Sequence, residues 1–236
     1  MRGFKVAVLK PPSALDVVRL IRRTREDTAA ALIGYYQQLP RWSYSPARAM
    51  AKPVFSGEIS LAAAIAGCLN GGNPLGRKWN AEVAELVWEA AQGRKFKCFD
   101  LSKRPFAIRQ DLRFLVDPLF FFVEQNTVKI FWLQPRRGFN PTLEGLGTLA
   151  TIVRMTYQDD FDDFDVEFLD LSRPSGAKKR LPRVYRFRDL PVLADTEVRL
   201  AMERFAQAYD PVCAMGVQRP ERRARPSVDP EPRLFD

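Results

Sequence analysis

DLRFLVDPLFFFVEQNTVKIFWLQPRR, residues 111–137, is the stretch on which the fold of this chain turns. Apolar residues fill about 112–123 and 128–134, and Glu124-Gln125-Asn126-Thr127 between them is polar. Long apolar runs around so short a polar step read as two strands joined by a tight hairpin turn. Asp117 marks the head of the first apolar run, and the cationic pair Arg136-Arg137 follows the second.

Outward from this hairpin the pattern alternates helices and strands. Upstream lie strands at 95–101 and near 105–109, and before them a helix, AEVAELVWEAAQ, with Asn80 as its expected cap and Gly93 as its stop. An alanine-rich helix from Ser56-Gly57-Glu58 to about Leu69 precedes that one. Downstream, residues 141–157 read as a helix, DVEFLDL as a strand, 183–187 as a short strand, and about Asp195–Tyr209 as a helix. At the N-terminus a short edge strand at 4–9 and one helix from Ser13 to about Gln38 are expected. LPRWSYSPARAMAKP, residues 39–53, reads as a loop pinned by Trp42 and Tyr44, or as a loop that stacks bases and contacts phosphates. The expected architecture is α/β: a mixed sheet flanked by helices, with an N-terminal helical extension. Residues 1–75 form the mainly helical region, 76–212 the α/β core and 213–236 a disordered tail rich in Pro and Arg.

Composition removes many kinds of chemistry. With no histidine, Ser-His-Asp and Cys-His hydrolases, HExxH proteases and histidine-based metal sites are excluded. Three scattered cysteines make neither a disulfide framework nor a zinc knuckle, which fits a reduced, cytoplasmic setting. No phosphate-binding glycine loop is present, no apolar run is long enough to span a bilayer, and the first residues do not form a signal peptide. Catalysis, if any, must rest on carboxylates, Lys, Arg, Tyr, Ser or a hard cation such as Mg²⁺.

The net charge of +9 is unevenly spread. Residues 1–55 carry ten Lys and Arg against three acids; residues 173–188 carry seven against none. Such clusters suit either phosphate backbones or an acidic protein partner. The acidic stretch Gln158–Leu171, QDDFDDFDVEFLDL, reads as a charged strand head, as a docking patch, or as a partner in cis for the basic loop that follows it.

From residue 80 to about 172 the order helix, three strands, helix, strand resembles the core of the PD-(D/E)XK nucleases, the restriction-endonuclease-like fold. The resemblance implies two carboxylates gripping Mg²⁺ or Mn²⁺ and a lysine orienting the attacking water. By that likeness Asp117 takes the place of the strand-head acid, and Glu82, Glu85 or Glu89 that of the helix acid. The expected (D/E)-x-K triplet falls on Trp132-Leu133-Gln134 or on Gln134-Pro135-Arg136, and neither offers a carboxylate with a lysine. Gln134 can present a carbonyl oxygen to a metal, and Arg136 can contact phosphate, but Arg is too basic to accept a proton. Each position also has a plain structural reading: a turn residue for Asp117, a solvated helix face for the glutamates, strand-end cations for Arg136 and Arg137.

The resulting expectation is a nucleic-acid-binding protein with a nuclease-like core and a degenerate metal site, acting in defence, mobile-element or repair processes, alone or in a complex. Arg22, Arg23, Lys178, Lys179, Arg180, Arg183, Arg186 and Arg188 are the expected phosphate contacts, joined by Arg136. An active Mg²⁺- or Mn²⁺-dependent nuclease using Asp117, Gln134 and Arg136 with Glu82 or Glu85 is the first alternative. A protein-interaction subunit or homo-oligomer without a nucleic-acid role is the second.

Overall fold

The turn at Glu124–Thr127 forms as its residues dictate. Gln125 and Asn126 take φ of 51° and 63°, the double left-handed geometry of the turn that best matches strand twist. It joins Phe120–Glu124 to Thr127–Gln134 in antiparallel register, Phe120 opposite Phe131. The computed structural model describes residues 9–38, 42–94 and 96–217. Residues 4–8 of the expected edge strand and 218–236 of the expected tail lie outside them.

In chain order the helices are α1 (Ala14–Leu20), α2 (Arg25–Gln37), α3 (Ser45–Phe55), α4 (Leu61–Asn70), α5 (Arg77–Ala91), α6 (Leu143–Tyr157) and α7 (Asp195–Ala214). The strands are β1 (Lys97–Phe99), β2 (Arg104–Arg109), β3 (Leu112–Val116), β4 (Phe120–Glu124), β5 (Thr127–Gln134), β6 (Asp165–Asp170) and β7 (Arg183–Arg186). Five strands make a mixed sheet in the order β1-β4-β5-β6-β7, parallel only between β5 and β6, with α6 as the crossover. β2 and β3 make a separate hairpin. The run expected as one strand at 112–123 is therefore two: Pro118 has no N–H for a ladder, and the chain changes sheets at Asp117-Pro118.

β5 is buried on both faces, and its side chains alternate between two cores. Ile130 and Trp132 join Val166, Phe168 and the apolar faces of α1, α2, α6 and α7. Phe131 and Leu133 join Phe120, Phe122, Leu169 and the faces of α3 and α5. The helices before residue 76 are thus divided between the two faces of the sheet and share cores with those after it. No helix among the described residues is long and apolar enough to cross a membrane.

Three local expectations change. The helix expected from Ser13 to Gln38 is broken at residues 21–24, where the Thr24 hydroxyl accepts from the Asp27 amide at 3.1 Å and starts α2 afresh. Most of the expected loop at 39–53 is α3, whose Pro46 lies in the first turn, where its missing N–H is harmless. Asn80 lies inside α5 and caps α3 instead. Its Oδ1 accepts from the Ala47 amide at 3.0 Å, and its Nδ2 donates to Ser43 and Gly76 carbonyls at 3.0 and 2.9 Å.

At the hairpin end of the sheet, Arg94 bridges Glu124 on β4 and Glu167 on β6, with four donor–acceptor distances of 2.8–3.0 Å. Lys129 also pairs with Glu124, at 2.6 Å. The Arg94 hydrogen bonds pull the Glu124 carboxyl down to about 2, against the upward push of burial. Its value in the unfolded chain is higher, so the stabilisation is complete above the ordinary 4.5 and fades as pH falls toward 2. Glu124→Gln should cost on the order of 3 kcal/mol at pH 7. Urea denaturation of the two proteins should converge near pH 2; a gap independent of pH contradicts this. Separately, Gln125→Asn with Asn126→Gly, which installs the preferred turn pair, should raise stability by about 0.5 kcal/mol in thermal unfolding.

Candidate functional site

The step from β3 to β4 leaves Asp117 in the wall of a cleft of about 680 Å³, framed by the start of α3, the β1–β2 connection and the residues after β5. Lys103 Nζ lies 3.0 and 3.1 Å from its two carboxylate oxygens. Arg48 Nη2, from α3, lies 3.5 Å from Oδ2 and donates to the Asp117 carbonyl at 3.4 Å. Arg136 is the third cation of the lining, and its guanidinium pairs twice with Asp16 of α1, one contact being 3.0 Å. Burial of Asp16 would raise its pKa, but Arg136 and Arg19 outweigh this and keep the carboxyl below its ordinary range. Three cations at the wall thus face one carboxylate there and one behind it, leaving a positive excess.

The rim is aromatic. Trp42 and Tyr44 meet edge to face with ring centroids 4.4 Å apart. Gly76 lets Trp42 in, since a Cβ there would stand 2.7 Å from the indole. At the base, Trp132 of β5 lines the cleft while only 2% exposed.

Arg180 ties this rim to the sheet. It is 6% exposed, and its Nε donates to Glu82 of α5 at 2.9 Å. Nη1 donates to the carbonyls of Pro135 and Leu171 at 2.7 and 2.8 Å, and Nη2 to the Tyr44 hydroxyl at 2.8 Å. The sequence places Arg180 among phosphate contacts; its position is internal.

The other expected loop cations separate into two groups. Arg183 pairs with Asp170 and also donates to Ser172 and Asn140, and Arg186 stands 3.8 Å from Glu167. The acidic strand and the basic loop therefore do pair in cis. Lys178, Lys179 and Arg188 remain exposed. Arg22 folds back on the carbonyls of Arg19 and Ile21, and with the exposed Arg23 and with Arg204 it lines a separate groove beside α7.

The expected metal ligands do not come together. Asp117 faces Arg48 and Lys103, Glu82 is held by Arg180, and Glu85 and Glu89 lie on the exposed side of α5. Gln134 is 1% exposed: its amide nitrogen donates to the carbonyls of Arg136 and Phe139 at 3.1 and 2.8 Å, and its oxygen accepts from the Arg136 amide at 3.3 Å. Among the described residues no group of three or more acidic or cysteine side chains is placed to share a metal. The described residues around Asp117 do not fit a Mg²⁺ site.

Sequence reading missed Lys103, Asp16 and the role of Arg48. The first two carry no local signal, since their partners are distant in the chain. Arg48 lies in the cationic stretch after Trp42, so that composition was the available clue.

Arg180→Met should leave two carbonyls and Glu82 without a donor, costing roughly 3–5 kcal/mol in chemical denaturation and weakening near-UV aromatic dichroism as Tyr44 is released. A loss under 1 kcal/mol contradicts the pinning role. The chain matches no protein-family model, no curated protein and no solved structure, so the chemistry of the cleft is what its function must be read from.

Proposed function

We propose that this protein binds nucleic acid through a restriction-endonuclease-like core in which the metal site has been replaced by a cationic cleft. The observation that carries the reading is the surrounding of Asp117. The wall that would need a second carboxylate instead supplies Arg48, Lys103 and Arg136, with Trp42 and Tyr44 at the rim. Guanidinium and ammonium groups beside aromatic faces suit a phosphate backbone with stacking bases. The family reading is supported by the order α5-β1-β4-β5-α6-β6 with two antiparallel pairings followed by one parallel pairing, the β2–β3 hairpin being an insertion. Lys178 and Lys179, exposed and tied to the cleft side through the Arg137 hydrogen bond to the Lys178 carbonyl, extend the cationic surface as sequence-independent contacts, whereas Arg188 lies at the hairpin end of the sheet beside Asp165. The role is binding within a DNA or RNA transaction, with defence, mobile-element maintenance and repair as the settings.

Fluorescence anisotropy with labelled DNA and RNA should give affinity that falls steeply as salt rises. Lys103→Gln, and Lys178→Gln with Lys179→Gln, should each weaken binding and flatten the log–log salt slope by about 1 per cation removed. Absence of binding at low salt would sink the proposal. Incubation with Mn²⁺ and either polymer should leave it intact; cleavage abolished by Asp117→Ala would replace the binding reading with a nuclease.

A further inference from the structure

Arg94, Arg136, Arg180 and Arg183 each hold a carboxylate, whereas Arg22, Arg23 and Arg204 form no ion pair among the described residues. The Arg22 and Arg204 guanidiniums donate to main-chain carbonyls, and Arg23 is exposed. All three border one groove of about 460 Å³ between the end of α1 and the first turns of α6 and α7. Its apolar lining stays partly in water: Val18, Ile21, Leu193 and Ala201 are half-buried, and Leu200 is 59% exposed. Leu143, which begins α6, and Val192, just before α7, are exposed as well. Aliphatic surface left in water and rimmed by charge marks an interaction site.

The groove does not end there. A neighbouring cavity of about 700 Å³ shares Val18, Ile21, Arg22, Thr142 and Gly145 with it and extends the trough between α1 and α2. Together the walls carry Arg19, Arg22, Arg23 and Arg204 against Glu144 and Glu197. Asp16, which pairs with Arg19, is offset by Arg136. The trough is therefore positive, and its chemistry disfavours three occupants. The groove beside α7 has aliphatic side chains and no aromatic ring on which a base could stack. The chain's own residues 218–236 carry five Arg against four acids, and a second copy brings the same net charge of +9. Like charge opposes both of these.

We propose that this trough receives an acidic amphipathic peptide of a partner protein, its Leu, Ile or Val side chains against Val18, Ile21 and Leu200 and its carboxylates at Arg22, Arg23 and Arg204. Aliphatic contact supplies the burial, and the arginines select the sign of the partner, as where an amphipathic helix lies in a groove. Arg48, Lys103 and Arg136, the cations of the Asp117 cleft, do not line the trough. The proposal thus goes beyond the nucleic-acid reading and does not depend on it.

The test uses the full chain and a fluorescein-labelled amphipathic peptide of Leu and Glu, about 18 residues or five helical turns long. A Leu and Lys counterpart and a Ser and Glu peptide are the controls. Anisotropy should show the Leu and Glu peptide binding at least about tenfold more tightly than either control. Arg23→Glu with Arg204→Glu, and separately Leu200→Asp, should each weaken it about tenfold. Arg23 and Leu200 are exposed and Arg204 is half-buried, so far-UV dichroism should be unchanged in both variants. Lys103→Gln, which acts on the Asp117 cleft, should leave peptide binding as it was. A Leu and Glu peptide that does not bind, or binds no better than the Ser and Glu peptide, overturns the proposal. So does a dimer in sedimentation that Leu200→Asp dissociates, since a second copy then covers this face. Charge reversal at 23 and 204 that abolishes DNA binding but spares the peptide assigns the arginines to nucleic acid and overturns it too.

Discussion

The Arg180 guanidinium, buried where the C-terminal ends of β5 and β6 meet α5 and the start of α3, joins parts of the chain that no regular hydrogen bonding connects. Removing such a group from water costs several kcal/mol, and only a full set of partners offsets it. Arg180 has that set: the Glu82 carboxylate, two main-chain carbonyls and the Tyr44 hydroxyl. The Pro135 and Leu171 carbonyls follow the last residues of their strands, beyond the reach of the ladder, and would otherwise be orphaned. The same contacts therefore finish the parallel pair and set the wall of the cleft. The contact that stabilises the fold here also occupies the Glu82 carboxylate and leaves it unavailable to a cation.

The opposite end of the sheet is closed by a second ionic group with a different task. Arg94 reaches Glu124 on β4 and Glu167 on β6, spanning the central strand β5 between them. Between the two ionic ends, Ile130–Leu133 are almost wholly buried and provide apolar contact on both faces. A one-residue slip of β6 against β5 would turn Glu167 toward the wrong core and separate it from Arg94. The apolar middle drives burial but tolerates several registers; the ionic ends select one.

What could be read from the sequence follows how local each cause is. The hairpin at 124–127 was legible because its turn residues and the flanking apolar runs lie within a few positions. The succession of strands and helices, α6 included, was legible from alternation and caps, whereas the division of the strands between a five-stranded sheet and a separate hairpin was not. The division at Asp117-Pro118 was half legible: proline signals an interruption, but a change of sheet depends on β1 and β2, which are remote from it. The start of α2 was available in Thr24-Arg-Glu-Asp27, whereas α3 was hidden by two prolines and by a cap, Asn80, that lies 33 residues beyond the amide it serves. Among the cations of 173–188, a run of like charges cannot tell which one turns inward. That choice is made by Glu82, Tyr44 and two carbonyls scattered through the chain. Arg136 and Asp16, 120 residues apart, are the same problem at greater distance.

The sign of the charge around Asp117 is the remaining physical question, and it decides between two uses of one backbone position. A hard divalent cation needs converging oxygens in a region of negative potential. Asp117 supplies oxygens, but ammonium and guanidinium groups already stand within 3.0–3.5 Å of them, where a second carboxylate would have to be. A dication brought there would have to expel both cations or accept their repulsion at contact distance. For an anion the same arrangement is favourable, since a carboxylate between two cations fixes their positions while leaving donors pointing to other partners. Asp117 is then a counter-ion that organises Lys103 and Arg48. The Asp117 carboxylate thus holds two cations at the wall of the cleft, an arrangement whose potential suits an anion better than a dication.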